Sequence, residues 1–532
     1  MTIVYKICFI WYNTDTVEIS RRSRMDTYTQ EPKNKVRHLA IKTAIDYLTT
    51  NRSNACCVRR SYVRDLYDFF LDMEESHEQT EVKKIDLNYI RAWEQMHAEK
   101  IGVKSPAELS VCYLSGPEPE NDFNELVSFG VLPQNIWAFE NQQNTYLKAL
   151  QSIDTTNYMQ PKIIKASIEN FFESTPKKFD IVYIDACAPL ISDQHALRCI
   201  SSLFKYHRLE SPGVLISNFA DVDQSNPQLQ VEFEDIIARY FYIKENSSAS
   251  LVESRDNISL TGNYENYTKQ VKKNFETYYG NFITAMICNS ASISVPLLRF
   301  CHSPFLKHIS TTTPLKNKCY DFIDVNTIKN NTLLKFFAMN NMLHQKRANF
   351  TGIARCNRLA SELGGSLYSN EPTELLSCLQ KLYDIRNLEL DIQSSLNDAL
   401  AFFDNGHNMY QFLDKPNKML FFDSVINQLS YPMHYSTENT MRLTYKAKQT
   451  RMFTDLIVFD ECRYIYDWLP AIHQIPNAFS NPSWQYTFRF ALDGLVKQRM
   501  NYNNEFFFQG SVVNKNEPLF CDKKFLDRIK IN

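Results

Sequence analysis

Apolar residues recur three and four apart in "VRHLAIKTAIDYLTT" and "VRRSYVRDLYDFFLDMEE", and this spacing predicts helices across residues 34–100. A further helix is predicted in "DLNYIRAWEQMHAEKIG", where Asp86 is placed to cap its start and Gly102 lies near its end. From about residue 108 the rhythm changes. Short apolar runs rich in β-branched and aromatic residues follow one another: "LSVCYLSG", "NIWAFEN", "KIIKASIE", "FDIVYIDA" and "GVLISNFA". Helical stretches, among them "DFNELVSFG", "QQNTYLKALQSI" and "QHALRCISSLFKYHRL", separate them. Strand and helix alternating at this spacing predict βαβ units and a parallel sheet buried on both faces.

After about residue 225 the alternation fades. "QVEFEDIIARYFYIKE" and "YTKQVKKNFETYYGNFITAMI" predict helices, 330–500 reads as mostly helical, and 504–513 reads as a late strand. The polar stretch 243–266 reads as a linker or loop. The expected organisation is a helical N-terminal segment (1–104), an α/β Rossmann-like parallel-sheet domain (105–242), the linker (243–266) and a large, mainly α C-terminal domain (267–532).

Composition narrows the class. A chain of 532 residues exceeds one ordinary core, and 44% apolar with 22% charged residues is a globular balance. The net charge of −2 gives no overall field for nucleic acid, so any basic surface is local. Thirteen cysteines without a Cys-x-x-Cys pair suit a reducing cytosol, and a cytoplasmic location is expected. No apolar run reaches the roughly 20 residues that span a bilayer, so no membrane association is expected. The opening "MTIVYKICFIWYN" lacks the flanks of a signal peptide. It is either a first strand or part of an extension (1–24) ahead of a start at Met25. There is no His-Glu-x-x-His and no dense His/Cys cluster, so no metal is expected. Neither a phosphate-binding Gly-x-x-x-x-Gly-Lys loop nor a Gly-x-Ser-x-Gly elbow occurs.

In an open parallel sheet, ligands bind beyond the carboxyl ends of the strands. Here those ends carry Ser115-Gly116-Pro117-Glu118, then Glu140-Asn141, Ser167-Ile168-Glu169, Asp185-Ala186-Cys187 and Asn218. Glu140 follows Gly116 by 24 residues, where an acid accepts hydrogen bonds from ribose hydroxyls. The turn after the first strand has one glycine instead of Gly-x-Gly-x-x-Gly, and Pro117 and Pro119 remove two amide donors. A nucleoside cofactor without phosphates suits such a turn better than a dinucleotide. Cys187 is a possible nucleophile, but a small buried apolar role is the commoner one for such a residue.

Residues 108–220 resemble the class I S-adenosylmethionine-dependent methyltransferases, over about a fifth of the chain. The resemblance implies that Gly116 and Glu118 line the methionine end of the cofactor, with Glu118 or Asp122 holding its ammonium group. It implies that Glu140, with Asn141 next to it, binds ribose, that Ser167 and Ile168 flank adenine, and that Asp185 faces the substrate as the catalytic residue. The sequence departs from the family in its glycine-poor turn. "DACAPL" also keeps only the Asp and a later Pro of the motif that methylases of base amines carry.

Two basic stretches bear on the substrate. Lys346 and Arg347 lie in "HQKRANFTGIARCNR" with Arg355 and Arg358, and Arg442, Tyr445, Lys446, Lys448 and Arg451 lie in "RLTYKAKQTR". Cations beside aromatics neutralise phosphates and stack bases. The expectation is therefore a methyltransferase acting on RNA or DNA. The alternative is an inactive methyltransferase-like module that binds a nucleotide or a partner protein within a larger complex.

Overall fold

The five apolar runs fold as five parallel strands: β1 (Val111–Leu114), β2 (Ile136–Phe139), β3 (Lys162–Ile164), β4 (Phe179–Asp185) and β5 (Leu209–Ala220). The computed structural model describes residues 31–245, 251–301, 358–359, 428–498 and 525–532, with short breaks at 75, 154–157, 159–160, 224, 255–256 and 261–263. The readings of 1–24, 504–513, Lys346 and Arg347 lie outside the described residues. Every residue of β4 except Asp185 is buried, as a central parallel strand covered on both faces must be.

The sheet does not end at β5. A separate antiparallel pair, β6 (Leu251–Ser254) and β7 (Asn257–Leu260), comes next in the chain, followed much later by β8 (His434–Ala447), β9 (Thr450–Asp460) and β10 (Ile529–Lys530). The last three join the main sheet, whose eight strands run β3-β2-β1-β4-β5-β9-β8-β10. β9 lies antiparallel against β5, from Gly213 opposite Phe459 to Ala220 opposite Met452. The mainly helical C-terminal domain expected over 267–532 is therefore corrected: its residues 434–460 and 529–530 complete the central sheet.

The reason is local. The sequence of β8 is Thr- and Ser-rich and does not alternate cleanly, yet its interior is buried, and several of its polar side chains find acceptors there. Thr440 Oγ1 donates to Ser436 O (2.8 Å), Thr444 Oγ1 to Met452 O (3.0 Å) and Arg442 Nη1 to Leu526 O (3.2 Å).

The N-terminal residues are equally integral. Helix α1 (Glu31–Leu48) buries Val36, Ala40, Ile41, Ala44, Ile45 and Leu48 along one stripe. Ala40, Ile41, Ala44, Ile45 and Leu48 share a core with Val111, Tyr113, Ile181, Val214 and Leu456 of the sheet. The next helices are α2 (Tyr62–Asp72), α3 (His77–Val82) and α4 (Leu87–Ile101). Asp86 caps α4 by accepting from Asn88 N at 2.9 Å, and Gly102 ends it with φ of 62°, as the sequence predicts.

The crossover helices are α5 (Glu120–Ser128), α6 (Gln143–Ile153), α7 (Ile168–Ser174) and α8 (Ala196–Lys205). Then come α9 (Pro227–Glu245), α10 (Tyr264–Lys273), α11 (Phe275–Asn289) and α12 (Val295–Cys301), and late in the chain α13 (Arg463–Tyr466), α14 (Ile475–Ser480) and α15 (Pro482–Gln498). Trp93 of α4 is fully buried and donates Nε1–H to Tyr464 O of α13 at 2.8 Å. Tyr62 and Phe70 of α2 share a core with Tyr486 and Phe490 of α15. Early and late helices thus form one layer on the sheet. No helix among the described residues is long and apolar enough to cross a membrane.

One carboxylate ties the early and late parts together. Asp460, at the end of β9, accepts from Cys57 N (2.9 Å), Cys462 N (2.8 Å), Tyr464 Oη (2.7 Å) and Ser211 Oγ (3.0 Å). Cys57, Asp460 and Cys462 offer donor atoms within 4.8 Å of one another, a grouping that sequence reading missed because Cys57 stands so far from the other two. Both oxygens of Asp460 are already engaged twice, so the carboxylate acts as a cap for backbone and hydroxyl donors.

Candidate functional site

A cleft of about 620 Å³ opens beyond the carboxyl ends of β1, β2, β3 and β4, a size ordinary for a small-molecule site. Gly116, Glu118, Asp122, Glu140, Asn141, Ser167, Ile168 and Asp185 all line it. Seven positions chosen from strand ends, and Asp122 chosen from the resemblance, are thus brought together in one cavity.

The first wall is the turn after β1. Gly116 has φ of +57°, the left-handed region that an L side chain enters only with strain. A Cβ built there meets nothing within 4 Å, so the position needs glycine for its backbone and not for space. Glu118 accepts from Asn121 Nδ2 at 3.1 Å. Asp122 is buried in α5 and paired with Arg37 Nε at 2.7 Å. Burial raises the Asp122 carboxyl above its ordinary value; Arg37 opposes the shift, and the nearby Asp185 charge adds to it.

At the end of β2, Glu140 stands half-buried, and its Oε1 accepts from Gln142 N at 2.7 Å. This short-range bond fixes the carboxylate at the cleft wall. Ser167 N-caps α7 and donates Oγ–H to Glu169 at 2.8 Å. Glu169 is held in turn by Arg198 at 2.9 Å. Ile168, 2% exposed, supplies the apolar wall beside them.

Asp185 ends β4. Its Oδ2 pairs with Lys33 Nζ at 2.9 Å, and its Oδ1 accepts from Asn218 Nδ2 at 2.8 Å and from the Cys187 thiol at 3.2 Å. Burial on its own raises this carboxyl, but the Lys33 charge and the three donors outweigh it and hold the group below the usual carboxylate range. A carboxylate so engaged is a poor proton acceptor. Sequence reading gave Asp185 the task of orienting the substrate's lone pair; its oxygens are instead largely taken by protein donors. Cys187, exposed in the cleft with φ of 52°, is pushed up to about 12 by desolvation and then by the Asp185 charge. Its thiol stays protonated at neutral pH and donates to Asp185, which argues against a nucleophile.

Lys33 and Arg37 were missed by sequence reading. Both line the cleft, at the N-terminal end of the buried stripe of α1. The signal was present: Lys33 and Arg37 continue the spacing of Ala40, Ile41, Ala44 and Leu48, which puts two cations on a core-facing stripe.

The basic stretch 442–451 is the β8–β9 hairpin and is not an open cationic surface. Arg442 is buried and bonds to Leu526 O and to Asn281. Tyr445 is buried, with its hydroxyl accepting from Asn218 Nδ2 at 3.1 Å. Arg451 pairs with Glu276 at 2.8 Å and with Asp221 at 3.4 Å. Arg442 and Tyr445 are corrections, since buried side chains meet internal partners and not solvent, while Arg451 is part-exposed with its charge paired. Lys446 and Lys448 are exposed. Arg358, from the other basic stretch, pairs with Asp193 on the cleft lining at 2.8 Å.

No protein-family model matches the chain. No curated protein matches it. Among solved structures it is similar to a candidate methylase from Haemophilus influenzae, at 17% identity over 23% of this chain and 68% of that one, with a TM-score of 0.19. It is similar to magnesium protoporphyrin IX methyltransferase from Synechocystis PCC 6803, solved with bound S-adenosylmethionine, at 16% identity over 34% and 76%, with a TM-score of 0.17. A third is an S-adenosylmethionine-dependent methyltransferase from Clostridium acetobutylicum ATCC 824, at 14% identity over 36% and 65%, with a TM-score of 0.17. Likenesses at these identities and TM-scores decide nothing about activity, which is read here from the cleft.

Proposed function

We propose that the chain is an S-adenosylmethionine-dependent methyltransferase whose cofactor occupies the cleft beyond β1–β4. One observation carries the reading: seven residues chosen from the ends of the first four strands, together with Asp122, line a single cavity of suitable size. The strand order supports it, since the order 3-2-1-4-5 reverses direction at β1 and β4, and ligands of open α/β sheets bind at such a switch point. In this assignment Glu140 receives the ribose hydroxyls, Ile168 lies against the adenine, and the turn at Gly116 faces the amino-acid end.

When bound, the cofactor supplies an electrophilic methyl group on a sulfonium. Transfer to an in-line lone pair is then mainly a matter of position. Asp185 does not serve as the base, because Lys33, Asn218 and Cys187 engage it. It anchors the N-terminal turn of α1 against β4 instead. An acceptor whose lone pair is available before deprotonation, such as an amine or ring nitrogen, suits such a site better than an aliphatic hydroxyl. Bases of RNA or DNA carry such nitrogens, and Lys446 is an exposed cation on the β8–β9 hairpin.

A second reading, a binding module without transfer, draws on the same engagement of Asp185. Calorimetric titration with S-adenosylmethionine and S-adenosylhomocysteine tests the first step. Micromolar binding by the wild type and a loss of about tenfold or more in Glu140→Ala are expected, the worth of one charge-assisted hydrogen-bond pair. Absence of binding by folded wild-type protein overturns the proposal. Binding without methyl transfer to RNA, DNA or amine acceptors decides for the second reading.

A further inference from the structure

Asp460 does more than cap donors, because it sets two cysteines side by side. Cys57 lies in the connection between α1 and α2, and Cys462 lies just past β9. Each donates its backbone N–H to the same carboxylate, at 2.9 Å and 2.8 Å. The next amide, that of Val58, donates to Tyr464 Oη at 3.1 Å, and this hydroxyl donates to Asp460 at 2.7 Å. Two main-chain segments far apart in sequence are thus clamped against one another.

The side chains follow the main chain. Cys57 Sγ and Cys462 Sγ lie within 4.8 Å of each other, and the two residues are 2% and 0% exposed. A disulfide needs sulfurs about 2 Å apart, so closure asks for less than about 3 Å of movement, which side-chain rotation supplies over a backbone already in place. Cys462 also has φ of 49°, where a residue bearing Cβ is strained, so its conformation alone does not call for cysteine. A metal would be the other use of two thiols beside a carboxylate. The acceptor sites of Asp460 are already taken by four protein donors, which leaves two thiols and no third ligand in this cluster.

We propose that Cys57 and Cys462 form an oxidative cross-linking site, at which hydrogen peroxide converts the two thiols to a disulfide that ties the α1–α2 connection to the end of β9. One sulfur, as thiolate, attacks a peroxide oxygen and becomes a sulfenic acid, and the other oxygen takes up a proton and leaves as water. The second sulfur then attacks the sulfenic sulfur, the S–S bond forms, and the hydroxyl leaves as a second water. In all, two thiols give up two electrons and two protons, and one peroxide becomes two waters. Burial raises the Cys462 thiol well above its ordinary value, so the pair stays reduced under mild conditions and answers to an oxidant that is small and uncharged. Helix α1, which brings Lys33 and Arg37 to the cleft, is the element the cross-link secures. The proposal does not depend on what the cleft binds.

The test is peptide mapping of the full chain. Reduced, folded protein is treated with hydrogen peroxide, the remaining thiols are blocked with iodoacetamide in urea, and the unreduced tryptic digest is read by mass spectrometry. Peptides 53–59 and 452–463 are expected to appear joined and to separate on adding dithiothreitol. Cys56 shares the first peptide, but its thiol donates to Ser53 O at 2.9 Å. Cys56→Ser is therefore expected to keep the link and Cys57→Ser to lose it. Closing a loop of about 400 residues is expected to raise the melting temperature of the wild type by about 2–5 °C, reversibly with dithiothreitol. The wild-type map decides even where a variant fails to fold. Recovery of Cys57 and Cys462 from treated wild type as free thiols, or as sulfinic and sulfonic acids, overturns the proposal. So does a link that persists in Cys57→Ser, a linked protein whose melting temperature has not risen, or a co-purified metal that must be chelated before the two thiols react.

Discussion

Replacing Lys33 with methionine removes the cation paired with Asp185 among the described residues. The two groups lie 2.9 Å apart with side chains 9% and 16% exposed, so solvent screening is slight. Breaking one side of a buried pair costs about 3–5 kcal/mol, because the remaining charge is left uncompensated. Asn218 and Cys187 still donate to Asp185, which puts the expected loss at the lower end, about 3 kcal/mol at pH 7. The pH dependence is more diagnostic than the size. In the wild type the Asp185 carboxyl sits below its ordinary value: burial pushes it up, but Lys33 and the hydrogen bonds prevail. Its contribution to stability is present above the unfolded value and is lost as pH falls through the depressed folded value. In Lys33→Met the opposition to burial is weakened and the folded value moves up. The variant then regains stability as Asp185 protonates, so its deficit is largest near pH 7 and shrinks toward pH 4. Urea denaturation of both proteins across that range measures the gap, and Lys33→Met/Asp185→Asn is expected to recover most of it at pH 7. A deficit independent of pH, or no recovery in the double variant, refutes the reasoning.

Asp460→Asn exchanges a carboxylate that accepts four hydrogen bonds for an amide with one oxygen, and is expected to lower stability by about 2–4 kcal/mol, seen in the urea midpoint. Faster proteolysis near Cys57 and Cys462 is expected with it; unchanged stability would show that the hub is dispensable. Cys187, although exposed, is expected to react slowly with iodoacetamide at pH 7.5 and faster by about tenfold per pH unit above that, since its thiol titrates at about 12. Mass spectrometry follows the labelling, and rapid modification at neutral pH would contradict the assignment.

The sheet's first five strands and their ligand-facing ends were legible because a parallel strand buried on both faces must be apolar throughout, and "FDIVYIDA" could hardly be anything else. The strand-end residues followed from topology alone. What stayed hidden depends on contacts distant in sequence. "HYSTENTMRLTYKA" joins the main sheet, where Thr444 and Arg442 find acceptors contributed by Met452 and Leu526. Those acceptors become visible only once the chain has folded back on itself. Tyr445 and Arg451 looked like a nucleic-acid surface for the same reason: sequence shows a charge and not its internal partner. Lys33 and Arg37 were readable in principle, since their spacing contradicts a solvated helix face.

The pairing of β5 with β9 also bears on how the protein is made. The β5 edge from Gly213 to Ala220 receives its neighbour only when residues 452–459 have been synthesised. At translation speeds of about 5–20 residues per second, that leaves an unpaired, apolar strand edge waiting about 10–50 s. Such an edge is a template for pairing with the wrong chain. The growing polypeptide therefore carries an aggregation hazard while the sheet is half built, and the cleft-bearing half is completed only once residues 452–459 have emerged.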